Sequence, residues 1–276
     1  MSVAGRSLLL LVPLLVAALA GLWYTPKPVD QAALRDIATR GLPPLPKWAA
    51  AELPDFAAIR DTTEKKAAFF SFLYPRIELA NSRILMERAY LESLAGRDKL
   101  TSSQVRWLEA QAERLRVDEE PGSPELFARL LKRLDVIPPS LVMAQAANES
   151  AWGTSRFATE GNNLFGQWCF SKGCGLVPQS RVEGASHEVA RFASPYQSVQ
   201  AYIQNLNRHQ TYQTLRDIRE KDRNNSEFPD GNALAGGLIG YSERGEDYVK
   251  EIRAMIGHNN LGYYDRKFAN SGRESK

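Results

Sequence analysis

The chain has 276 residues, 35 Lys+Arg against 32 Asp+Glu and a formal charge of +3. With 43% hydrophobic and 24% charged residues it has the composition of a globular protein of one or two domains, which excludes wholesale disorder. So small a net charge supplies no basic stripe for nucleic acid, and His187, His209 and His258 stand too far apart to ligate a metal together. The Walker, Rossmann, nucleophile-elbow and HExxH motifs are absent, so no nucleotide, hydride or zinc chemistry and no cofactor is expected.

Residues 1–25 form an export segment. Arg6 precedes an uncharged run from Leu8 to Leu22, too short for a full membrane span, and Ala18-Leu19-Ala20 resembles a cleavage site. Trp23 and Tyr24 suit a membrane interface, so a cleaved signal and a retained inner-membrane anchor both remain open. Either one places the protein in the periplasm or cell envelope. Residues 26–58 are rich in proline, including Pro43-Pro44-Leu45-Pro46, and predict an extended stalk with one helix over Asp30–Arg40.

Residues 59–122 predict two helices packed as a hairpin. Asp61 caps the first, whose apolar positions run from Phe70 to Leu94, with a kink expected at Pro75. The second runs from Ser103 to about Val117. Glu119-Glu-Pro-Gly-Ser-Pro124 is a boundary, and a domain over 123–265 follows. There Ser123 and Pro124 open a helix, and Ser140 is placed to cap the next. Residues 176–193 predict short strands, Asp230-Gly231 a loop, and 198 and 246 the starts of two further helices, the second closed by Gly257. Residues 266–276 form a basic tail. The fold class expected is mainly α: a lysozyme-like helical domain with a small β-hairpin, preceded by a helical region.

The helix beginning at Ser140 is apolar nearly all round, which predicts burial. Gln145, Asn148, Glu149 and Trp152 are spaced i, i+3, i+4 and i+7 and so share a face. Glu149 is the one carboxylate of this helix and falls in its last turn. The helix dipole, apolar neighbours and desolvation there all favour a protonated carboxyl, as a general acid in glycoside hydrolysis requires. Cys169 and Cys174 could close a small disulfide in an oxidising compartment; two free thiols fit the spacing equally.

Ala144-Gln-Ala-Ala-Asn-Glu-Ser-Ala-Trp-Gly153 followed by Asn162-Asn-Leu-Phe-Gly166 resembles the signature of the bacterial peptidoglycan β-N-acetylglucosaminidases, and among them the Bax-type proteins most. Phe192, Tyr196-Gln-Ser198, Tyr202, Tyr241-Ser242 and Tyr248 extend the resemblance, which is strong over 126–262 and weaker over 61–94. It implies a hydrolase acting on peptidoglycan glycan strands, with Glu149 in the general-acid position. It also implies a second carboxylate or a positioned water brought by a hairpin at about 175–191, with Glu183 preferred over Glu188, and it places Tyr241 across the cleft. Trp152, Phe165 and Asn163 are then candidate substrate contacts. A lytic transglycosylase and a non-catalytic wall-binding protein are the alternatives, and a thiol enzyme built on Cys174 and His187 lacks an orienting Asn or Asp.

Overall fold

The structure, a computed structural model, describes residues 37–274 apart from Ser180, Val182, Glu183 and Ala185. Residues 1–25, expected to direct export, and Glu183, preferred as the second carboxylate, therefore lie outside the described residues.

A single helical turn at Ile37–Arg40 and two 3-10 turns, Lys47–Ala50 and Phe56–Ala58, lead into helix α1, Thr62–Leu94. Asp61 caps α1 by accepting from the Glu64 amide at 2.8 Å. The helix passes Pro75 without a break, and in that turn the Arg76 guanidinium donates to the Phe72 carbonyl at 2.6 Å. Helix α2, Ser102–Leu115, opens with a capping box between Thr101 and Gln104. Helix α3, Pro124–Arg133, is capped by Ser123 with Pro124 at its first position, as its sequence predicts.

Helix α4, Pro139–Glu149, carries the candidate acid. Ser140 does not cap it. Pro138 and Pro139 set the entry instead, because they have no amide to satisfy. Ser140 is buried, and its amide and hydroxyl bond the two oxygens of Asp265 at 2.7 and 2.5 Å. Helix α5, Arg156–Gly161, follows, and then a three-stranded antiparallel sheet of β1 (Trp168–Cys169), β2 (Gly175–Leu176) and β3 (Glu188–Ala190). Its order is β1-β3-β2, with Cys169 opposite Glu188 and Gly175 opposite Ala190. The sheet starts earlier than the run of valines suggested, and Val177 lies outside the strands. Gly175 is what lets β2 approach, since a Cβ there would stand 1.9 Å from the Val189 carbonyl oxygen.

Helices α6 (Pro195–Arg208), α7 (Gln213–Asn224), α8 (Gly231–Ala235), α9 (Glu246–His258) and α10 (Gly262–Glu274) complete the chain. Asp230 caps α8, so the predicted loop is a helix start; α9 runs through Gly257 to His258. The basic tail is helical through Glu274, where Phe268, buried against Phe228, anchors α10. The molecule is thus mainly α with one small sheet, the class its sequence predicts.

Two apolar cores meet in α1. Its C-terminal half packs with Leu108, Leu115, Leu126 and Leu130 of α2 and α3. Its N-terminal half places Phe69, Phe70, Leu73 and Ile77 in the same core as Leu141, Val142, Met143 and Ala144 of α4. Asn81 of α1 stitches the two regions by exchanging hydrogen bonds with the Ile137 backbone, at 2.8 and 3.2 Å. Residues 37–58 are not a free stalk. Ala49 and Phe56 are buried in the main core, and Arg76 and Arg83 hold the Trp48 and Pro43 carbonyls. Below α4, the buried Asp135 is bonded twice by Arg223, with Arg219 and Arg88 close by. Burial opposes its ionisation, but these cations hold its carboxyl below the usual carboxylate range.

Candidate active site

Helix α4 ends abruptly. Ala151, Trp152 and Gly153 all take positive φ, at 49°, 61° and 77°. For a residue as bulky as Trp this is strained backbone, of the sort that persists only where its surroundings fix it. Here Ser150 fixes the turn by donating to the Ala146 carbonyl and accepting from the Gly153 amide, at 2.6 and 2.8 Å. Gly153 is required twice over, by its φ and because a Cβ would meet the Phe56 ring at 2.7 Å. Trp152 packs edge-on against Phe69 and Phe70, under the Lys66 ammonium. It therefore leaves the polar face its spacing predicted, because the helix stops at Glu149 and the left-handed turn swings the ring onto α1.

Glu149, at the open end of α4, is half-buried. A one-way chain of hydrogen bonds leads to it through the buried core. The Tyr202 hydroxyl donates to Gln145 Oε1, Gln145 Nε2 donates to the Tyr248 hydroxyl at 2.8 Å, and that hydroxyl donates to Glu149 Oε1 at 2.7 Å. Tyr248 thus fixes Oε1 as an acceptor and leaves Oε2 as the oxygen that can carry a proton. Burial raises the Glu149 carboxyl above its ordinary range, and the hydrogen bonds from Tyr248 and Asn148 oppose that rise without cancelling it.

Tyr241 stacks on Tyr248, with ring centroids 5.3 Å apart and planes within 9°. Its hydroxyl donates to the Phe165 carbonyl at 2.9 Å, which ties the Asn-Leu-Phe-Gly loop to the wall beside Glu149. Burial, and next the Glu149 charge, keep its phenol protonated. Phe165 and Asn163 turn inward. The Phe165 ring is 2% exposed and stacks on Tyr202 at 4.0 Å. Asn163 is 1% exposed, and its amide donates to the Gln167 and Ala190 carbonyls and accepts from the Phe165 and Gln167 amides. Both shape the loop from within, because every polar atom of Asn163 is engaged and the Phe165 ring is covered.

Cys169 and Cys174 form a disulfide. Glu188 accepts from the amides of Gly173, inside the loop that the disulfide closes, and of Gly175, just past it in β2, at 3.0 and 2.8 Å. Those two bonds hold its carboxyl below the usual range, and they commit Glu188 to the hairpin. The ligand atoms of Cys169, Cys174 and Glu188 lie within 4.8 Å of one another, but both sulfurs are taken by the disulfide. Sequence reasoning missed the roles of Tyr202 and Tyr248. Both fall on apolar helix faces, where a tyrosine is indistinguishable from packing; the signal available was the polar Gln145 on the otherwise apolar α4, which needs buried partners.

A half-buried Glu at the end of a core helix, its carboxyl raised by burial and bonded by a tyrosine, has the chemistry that the acid of a glycoside hydrolase requires. The chain belongs to the glucosaminidase family, described as mannosyl-glycoprotein endo-beta-N-acetylglucosaminidase, whose match covers residues 124–261. It is also 34% identical to Protein bax of Escherichia coli (strain K12) over 208 residues, 75% of this chain and 74% of that protein. No solved structure matches it. The family makes the chain an endo-β-N-acetylglucosaminidase-type enzyme with a glycan substrate.

Proposed function

We propose that this enzyme hydrolyses the β-1,4 bond on the reducing side of N-acetylglucosamine in peptidoglycan, in the cell envelope, after export through its N-terminal segment. Glu149 Oε2 gives its proton to the glycosidic oxygen as positive charge builds on the sugar ring. The observation that carries this reading is the hydrogen bond from Tyr248 to Oε1, which aims a carboxyl whose hold on its proton burial strengthens. Glu188 is an unsuitable base, since both its oxygens are bonded within the hairpin. The attacking water is then served by Glu183 or oriented by Tyr241. The Tyr241 hydroxyl donates to Phe165, so it engages a water as acceptor. Participation of the 2-acetamido group would need neither.

The test is mass spectrometry of products from purified peptidoglycan digested by the full chain, with E149Q alongside. Reducing N-acetylglucosamine ends are expected from the wild type, and a loss of about a thousandfold or more from E149Q. Anhydromuramoyl ends would overturn hydrolysis in favour of a transglycosylase. Near-normal turnover by E149Q would remove Glu149 from the mechanism.

A further inference from the structure

Trp152 and Phe165, the candidate sugar contacts among the aromatic side chains, pack against α1 and Tyr202, so stacking surfaces for a glycan are to be sought elsewhere. Trp168 and Phe170 are 60% and 72% exposed. The two flank Cys169, which is half-buried between them. Trp168 stacks one face on His187, with centroids 4.1 Å apart and planes within 19°, which leaves its second face to solvent. Among the described residues Trp168 and Phe170 are the two most exposed large apolar side chains.

The hairpin holds these rings in place. Cys169, between them, is bonded to Cys174, and Glu188 opposite it holds the Gly173 and Gly175 amides. Asn163 fastens the start of β1 by bonding the Gln167 and Ala190 carbonyls. Trp168 is also close to the acid's wall. Three residues separate it from Phe165, at most about 11 Å of chain, and the Phe165 carbonyl is bonded by Tyr241. A pyranose ring offers C–H groups on one face and hydroxyls at its rim, which suits an aromatic face bordered by the exposed Ser171 and Lys172.

We propose that Trp168 and Phe170 form a stacking platform for a sugar ring of the peptidoglycan strand beyond the bond that Glu149 cleaves. This subsite rests on the hydrolase reading above. Its test separates the two by scoring binding without turnover: full-chain E149Q is pelleted with insoluble sacculi, alone and combined with W168A, F170A or W168Y. Each alanine is expected to weaken pelleting by roughly fivefold to tenfold, W168Y to restore most of it, and melting temperature to stay unchanged because both side chains are exposed. Unchanged pelleting of E149Q carrying both alanines would overturn the platform. So would intact sacculus binding with lost pelleting on phosphatidylglycerol–phosphatidylethanolamine vesicles, which would assign the rings to a bilayer. Absence of turnover in the wild type would overturn the hydrolase reading alone, and the pelleting series would still decide the platform.

Discussion

Tyr248 acts on Glu149 in two opposing ways. Its hydrogen bond aims the carboxyl, and it also favours the ionised form, so that it lowers a proton affinity which burial has raised. Y248F should therefore separate the two. Loss of aim lowers kcat by about tenfold, within the range for removing a residue that orients a catalytic group. Loss of the donor raises the Glu149 pKa further, so activity, which falls as the acid ionises, should persist to higher pH. A pH profile of kcat/KM checks this, and an unshifted basic limb would show that Tyr248 only packs. The place of Glu149, the lone carboxylate ending an apolar helix, was legible in the sequence. Tyr248 was not, because a helical period records where a ring is buried and is blind to what its hydroxyl meets.

At the scale of elements, the hairpin is held by polar bonds more than by strand length. Its strands have two or three residues each, so pairing alone contributes little, and Glu188 supplies two further bonds to the loop from its centre. E188A should accelerate hydrogen exchange at the Gly173 and Gly175 amides while leaving the α4 amides unchanged, measurable by NMR. The sign with pH is fixed by the depressed carboxyl. The bracing is present above the ordinary carboxylate range and is lost as pH falls through the lowered folded value. Strands this short leave no alternation to read, which is why the valines at 177 and 182 drew the expectation downstream of β1. The Cys pair was legible as a possibility, and what the spacing could not show is that Glu188 sits opposite Cys169.

For the whole molecule, the family match from 124 to 261 is smaller than the folding unit. Residues 69–77 of α1 fill the core around α4, so a fragment of residues 124–261 would expose Leu141, Val142 and their neighbours. It should lack a cooperative thermal transition and near-ultraviolet circular dichroism, both present in the full chain. A second prediction concerns the join between α4 and α10. Burial raises Asp265 to about 6, against the opposing hydrogen bonds from Ser140. The folded state therefore binds this proton more tightly than the unfolded one, and stability falls as pH rises from about 4 to 7, by on the order of 3 kcal/mol. D265N resembles the protonated carboxyl and should flatten that slope in melting curves taken across the range. Helices α1 to α4, α6 and α9 and the cap at Ser123 could be read from the sequence, whereas α5, α7, α8 and α10 could not. The fusion of the two regions could not, since nothing local in α1 says that its first half serves a different core from its second.

Phe56 stands against Gly153, on the far side of the turn from Glu149, and it enters from a stretch that precedes the family match by many residues. A proteolytic nick between that stretch and α1 would remove no residue of the candidate site, yet it would loosen the clamp on the left-handed turn that follows Glu149. On the proposed function, turnover thereby depends on whether the upstream chain is whole, and nicked material should reveal itself by slow turnover well before it reveals itself by unfolding.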